Sequence, residues 1–166
     1  GFNSDYNYVV DIPNVQNEMV PEGTYAVIPN PNLVHTGFSA CNDHTGGGGN
    51  MMVINGAANL QDIWCQTVAV SPNSYYNVSA WVASVNPSSP AQLQFSINNV
   101  PIGSIINAVP SPCTWTPFNA VWNSGSSTTA TICILNLNTA QGGNDFALDD
   151  ISMVGLCVVE DEVEIT

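Results

Sequence analysis

The chain has 166 residues, a formal net charge of -13 at pH 7 and no Lys or Arg, although about a quarter of an average domain's residues are charged. Without cations there is no counterion-releasing contact to phosphate, which excludes nucleic acid as a partner, and an anionic membrane surface repels such a chain. The 13 carboxylates have only His35 and His44 as side-chain counterions. Each must therefore be solvated, held by N–H and hydroxyl donors, protonated or bound to metal.

The length fits one domain, and a 45% apolar content fills one core. No apolar run is long enough to span a bilayer, so membrane insertion is not expected. A start at Gly1 with no signal-like apolar segment reads as an already processed, secreted product. The cysteines are Cys41, Cys65, Cys113, Cys133 and Cys157, none in the CxxC spacing of a zinc site. In an oxidising compartment they predict two disulfides and one odd thiol, with the pairing open.

The dominant period along the chain is two. Tyr6, Tyr8, Val10 and Ile12 alternate with polar or smaller residues, which predicts an amphipathic strand within an N-terminal extension spanning residues 1–20. Residues 62–70 place Trp64, Gln66, Val68 and Val70 on one side, and residues 75–85 form the next strand after a Ser-Pro-Asn-Ser turn. Leu93, Phe95 and Ile97 share a face of the following strand, and Asn98-Asn99 predicts the hairpin turn into residues 100–106. Strands over 115–122, 129–138 and 145–156 complete the pattern, and no amphipathic helix of three turns interrupts it. The expected fold class is all-β: a two-sheet antiparallel jelly-roll sandwich over residues 21–156, with additional terminal strands. The last of these is an acidic strand or linker over residues 157–166, in which Val159, Val163 and Ile165 alternate with Glu160, Glu162 and Glu164.

Chemistry concentrates in residues 38–56. Four consecutive glycines, Gly46 to Gly49, imply a tight loop or a close backbone approach. It is not a phosphate loop, because no Lys and no amphipathic helix follow. Asp43 and His44 precede the glycines, and Asp145, Asp149 and Asp150 lie in the last core strand. A hard divalent cation takes carboxylate and carbonyl oxygens in a flexible shell, which such a loop and strand can supply.

Several segments in order, GTYAVIPNPN, DHTGGGGNMMVING, IWCQTVAVSPNSYYNVSAWVASV, WTPFNAVWNSG and GGNDFALDDIS, resemble an extracellular jelly-roll module. Its family belongs to the galactose-binding-like superfamily, is related to carbohydrate-binding modules, and occurs in secreted surface adhesins of Bacteroidota-type bacteria. The resemblance covers about residues 22–152. It implies a non-catalytic two-sheet fold with a structural calcium near the first and last strands. By position the metal-binding aspartate falls on Asp149, with Asp43, the carbonyls around Gly46, and Glu22 as further ligands. The five cysteines, the absent basic residues and the two end strands depart from the family's pattern.

Each residue also has a plainer role. Asp43 is either a turn residue accepting backbone N–H bonds or a calcium ligand, and His44 is first a loop hydrogen-bonding residue. Trp64 and Trp81, inside strands, are expected in the core, whereas Trp115 and Trp122, near strand ends, are candidates with Asn99 for stacking on and hydrogen-bonding a sugar. A glycosidase needs two carboxylates across a cleft, and Asp149 and Asp150, adjacent on a strand, point to opposite faces. The sequence thus predicts a non-catalytic, secreted, calcium-stabilised structural or adhesive subunit, polymerising into a filament with its own subunits through the terminal strands. The alternative is a carbohydrate-binding module for a neutral polysaccharide glycan.

Overall fold

A computed structural model describes residues 1–157 of the chain. Ten strands make two sheets: β1 (Asn7–Tyr8), β2 (Thr24–Ile28), β3 (Met51–Asn55), β4 (Asp62–Ala69), β5 (Tyr75–Ser84), β6 (Gln92–Ile97), β7 (Val100–Asn107), β8 (Thr116–Asn123), β9 (Thr129–Asn136) and β10 (Phe146–Leu156). One short 3-10 turn, Pro31–Leu33, is the only helical element among the described residues. The six-stranded sheet runs β1-β2-β3-β10-β5-β8 and the four-stranded sheet β4-β9-β6-β7. All pairings are antiparallel except β1 with β2. This is the expected jelly-roll sandwich, and the period-two pattern explains it, because alternate residues of each strand face either the opposite sheet or outward.

The main core lies between the sheets. Val78, Ala80 and Val82 of β5, Leu93, Phe95 and Ile97 of β6, Ile132 and Ile134 of β9, and Phe146 and Leu148 of β10 are all buried there. Phe95 stacks on Phe118 with ring centroids 4.6 Å apart. The Asn98-Asn99 turn closes the β6–β7 hairpin with φ of 52° and 64°, the left-handed values that Asn tolerates and a type I′ turn requires.

A second core sits on the outer face of the six-stranded sheet. Ala26 and Ile28 of β2, Met51 and Val53 of β3, Val85 and Ala147 are buried under Met19, Val34 and Phe38. The cover is the stretch between β1 and β2 together with the long β2–β3 connection. The Cys41–Cys113 disulfide ties it down. A second disulfide joins Cys65 to Cys133, which face each other in the β4–β9 register with Cα atoms 4.2 Å apart. Cys157 is free and exposed. Two disulfides and one odd thiol were expected; the β4–β9 register pairs Cys65 with Cys133, and the approach of two loops pairs Cys41 with Cys113.

Residues 1–20 do not hang outside the sandwich. Tyr6 is buried in the main core and Met19 in the second. Burial pushes the Tyr6 hydroxyl up to about 12, and its oxygen accepts the Ala57 N–H at 3.2 Å. Asn3 exchanges both backbone hydrogen bonds with Cys65 at 2.8 Å. The N-terminal segment therefore touches both sheets, and β1 is paired within its own chain. The predicted acidic strand falls on residues 157–166, of which 158–166 lie outside the described residues.

Candidate functional site

The expected metal residues separate into two places. At the first, Asp43 is buried at 4% exposure. Its carboxylate accepts the Thr45 hydroxyl and the Gly48 N–H at 3.2 Å, with the Gly47 and Gly49 N–H groups close by. The Thr45 bond and these N–H donors hold the carboxyl below the usual carboxylate range. A Cβ on Gly49 would stand 2.8 Å from Asp43 Oδ2, so the glycine run exists to let backbone wrap this carboxylate. Asp43 thus makes the turn contacts of its plainer role, and Gly46 joins that turn, its N–H reaching the Asp43 carbonyl at 3.2 Å.

Asp149 clamps the same loop to the sheet, its Oδ2 accepting the His44 N–H at 2.9 Å and its Oδ1 the Asp150 N–H at 2.8 Å. His44 Nδ1 lies 2.7 Å from Asp150 Oδ2. The His44 ring stacks on Trp81, centroids 3.7 Å apart, and meets Trp115 edge-on at 5.9 Å. Trp115 Nε1 donates to the Asn42 carbonyl at 3.1 Å. Three of the expected calcium ligands, Asp43, Gly46 and Asp149, thus meet at one junction of loop and strand, where both carboxylates accept bonds from the loop.

The fourth expected ligand, Glu22, lies instead beside Asp145, the two sharing a hollow with Asn55, Asn86, His35 and the Gly142-Gly143 backbone. Asp145 is buried; its Oδ1 accepts the Gly56 N–H at 3.2 Å and its Oδ2 the Asn86 amide at 3.0 Å. Burial above all, with Glu22 adding repulsion, pushes its carboxyl up to about 6. Glu22 Oε1 accepts the Gly142 N–H at 3.3 Å. Two carboxylates with spare lone pairs, amide and carbonyl oxygens nearby and no basic residue in the chain are a donor set that fits a hard divalent cation. Sequence reasoning placed Asp145 near metal chemistry but not with Glu22. The closest grouping of metal-ligating side chains among the described residues, Asp62, Cys65 and Cys133, is no such site, because the two sulfurs are bonded to each other.

The three expected sugar contacts do not converge. Trp122 points inward against the main core beside Tyr76, centroids 6.1 Å apart, because it has the parity of the inward residues Phe118 and Ala120 on β8. Trp115 has the opposite parity and lies about 23 Å away along the strand. Asn99 sits exposed at the tip of the β6–β7 turn in the other sheet.

A different polar surface is left open where the second core ends. On β5 the outward residues are Tyr75, Asn77, Ser79 and Trp81, a row about 20 Å long at strand spacing. Register sets Pro117, Asn119, Val121 and Asn123 of β8 on one side and Asp149, Ser152, Val154 and Leu156 of β10 on the other. Tyr75 is 44% exposed, Asn119 and Asn123 are exposed, and Ser79 and Ser152 bond to each other at 3.0 Å. The strand pattern already carried this signal, since Asn77, Ser79 and Trp81 share parity; reading Trp81 as core missed it. The outer face of the four-stranded sheet has Thr67, Thr131, Gln94, Ser96 and the Cys65–Cys133 bridge but no aromatic side chain.

Asp145 and Asp149 are four residues apart on an extended chain, about 13 Å, beyond the separation glycosidases use.

No family model and no curated protein matches the chain. Solved structures do. The CBM22-1 xylan-binding domain of Paenibacillus barcinonensis Xyn10C superposes with TM-score 0.53 at 13% identity over 67% of this chain and 75% of that one. A sugar-binding protein, the EclA C-terminal domain, gives 0.52 at 13% identity over 56% of this chain and 66% of that one. A Stig cyclase from Fischerella sp. TAU, Fisc, gives 0.61 at 8% identity over 94% of this chain and 84% of that one. At such identities the likeness establishes the sandwich fold alone, one shared with carbohydrate-binding modules.

Proposed function

We propose that the protein is a non-catalytic carbohydrate-binding module whose binding face is the open outer surface of β5, β8 and β10, and that it takes a neutral polysaccharide. The observation that carries this reading is the row Tyr75, Asn77 and Ser79, with the exposed Tyr75 ring at its open end and Asn and Ser side chains beside it on β8 and β10, while Trp81 at the other end lies stacked under His44. Aromatic faces pack on sugar rings while amides and carboxylates fix hydroxyls. The fold likeness to xylan- and sugar-binding domains supports the same class. An anionic polymer is disfavoured by a chain of net charge -13. The two disulfides fit a secreted protein working in an oxidising compartment.

Calcium belongs to this proposal as a stabilising ion at Glu22 and Asp145, where it neutralises two carboxylates that have no Lys or Arg to pair with. Because it binds only the folded state, the melting temperature rises in calcium and falls in chelator; identical melting in both contradicts it. An adhesive filament built by exchange of end strands has less support, since β1 is already paired in its own chain.

The test is a glycan array in calcium buffer with the native chain and Tyr75→Ala. Binding to a neutral polymer that the substitution abolishes supports the reading. Retention of no glycan at all, or binding indifferent to Tyr75, overturns it.

A further inference from the structure

The sandwich is unclosed at one side. β3 pairs with Phe146, Ala147 and Leu148 of β10 and no further, and an irregularity between Asp149 and Ser152, with Asp150 at φ 48°, redirects the strand. Beyond it, β10 pairs with β5 alone among the described residues. In the opposite sheet β4 is the edge strand. The N-terminal segment covers that edge as far as Cys65, with Phe2 against Trp64 at 6.2 Å and Tyr25 at 5.8 Å, and stops there.

Between these two strand edges lies a cavity of about 220 Å³ that opens into the main core. Trp64, Val68, Val78, Ile132, Ile151 and Met153 line it, with Tyr76 and Gln66 among them. Val68, Ile151 and Met153 are only half-buried, an unfinished apolar contact of the kind that marks a ligand groove.

We infer that this cleft is a second binding site, distinct from the glycan face, for a small neutral aromatic molecule of about two fused rings bearing one hydroxyl or N–H group. Size sets the ring count: an apolar cavity of about 150 Å³ holds benzene, and this one is half as large again. Charge sets neutrality. No carboxylate among the described residues lines the cleft, and the net charge of the whole chain repels an anion. The single polar group of the ligand is set by the lining, where the Gln66 amide has no hydrogen-bond partner among the described residues and Tyr76 Oη, accepting the Ser71 N–H at 2.7 Å, keeps a proton to donate. A sugar, with hydroxyls all round its ring, leaves most of them unpaired against Val68, Ile151 and Met153.

The experiment is ligand-observed NMR on the full chain with 2-naphthol, and with 2-naphthoate as the anionic counterpart. Naphthol binds with a Kd of roughly 0.1–1 mM, as fits a fragment of this size, while naphthoate binds at least tenfold more weakly. Val68→Trp fills the mouth and removes naphthol binding; Gln66→Leu, which leaves the apolar walls in place, weakens it several-fold. Each variant is checked for native near-UV circular dichroism. Absence of naphthol binding overturns the inference, as does equal binding of naphthoate or binding unchanged in both variants. So does finding the Ile151 and Met153 methyl groups already in contact with residues 158–166 or with a second copy of the chain. Naphthol binding that persists when glycan binding is lost in Tyr75→Ala keeps the two sites separate.

Discussion

The outer face of the six-stranded sheet divides into a covered half and an exposed half. Over β2, β3 and the start of β10 it is apolar, with Ala26, Ile28, Met51, Val53 and Ala147 buried under a loop cover fastened by Cys41–Cys113. Over β8, the first part of β5 and the end of β10 it carries Tyr75, Asn77, Ser79, Asn119 and Asn123 with the exposed Val121, Val154 and Leu156, and has no cover among the described residues. One set of strands therefore serves stability on one half and presentation on the other. The boundary is the stack of His44 on Trp81, held by Asp149 and Asp150. Because the cover supplies the buried area, removing parts of it costs stability, whereas substitutions on the open half cost binding.

The largest separation of the two comes from the disulfide. Cys41–Cys113 closes a loop of sequence separation 72, so replacing both cysteines by Ala lowers unfolding free energy by about 4 kcal/mol on the chain-entropy account. Urea denaturation measures it, and glycan affinity below the transition stays near native. A loss of affinity without a loss of stability reverses the assignment of the two halves.

Asp145 tests the interior next to the cover. Its folded form keeps a proton up to about pH 6, against an ordinary value of 3.8. The native state thus binds the extra proton between these limits, and in chelator stability falls as pH rises through that window, by up to about 3 kcal/mol. Asp145→Asn flattens that part of the curve, and calcium opposes the fall in the native chain. Thermal melts from pH 4 to 7 with and without calcium read both effects; parallel curves for variant and native chain contradict the burial of an uncompensated acid.

Tyr75→Ala works on the open half. Losing one stacked aromatic face costs about 1.5–3 kcal/mol of affinity, a tenfold to hundredfold rise in Kd, with little change in melting temperature because Tyr75 is exposed. Trp122→Ala behaves oppositely, lowering stability through lost core packing.

Gly49→Ala comes next, at about 1–2 kcal/mol. Its Cβ collides with Asp43 Oδ2, and urea denaturation of the variant beside the native chain reads the loss. The smallest effect is Asp150→Asn, which removes an exposed partner of His44 and costs under about 1 kcal/mol.

Much of this architecture was legible in the chain because a two-residue period reports which side of a strand is buried. Leu93, Phe95 and Ile97 face inward as read, and Asn98-Asn99 makes its turn. The disulfide partners were not legible, since Cys65 and Cys133 meet only once β4 is known to lie beside β9. Glu22 and Asp145 escaped for the same reason: distant segments meet through sheet order, which local pattern does not encode. Trp115 and Trp122 were grouped by residue type, while parity on β8 sends them to opposite faces. Trp81 shows the converse, a tryptophan whose parity with Asn77 and Ser79 marks the outer face.

The account turns on which surface meets the glycan, and chemical-shift mapping on the isotope-labelled chain with a neutral hexasaccharide such as xylohexaose addresses it most directly. The account predicts shifts along Tyr75, Asn77, Ser79, Asn119 and Asn123 and none at Thr67, Thr131 or Gln94. Shifts confined to the outer face of the four-stranded sheet, or none with any neutral oligosaccharide, would contradict it.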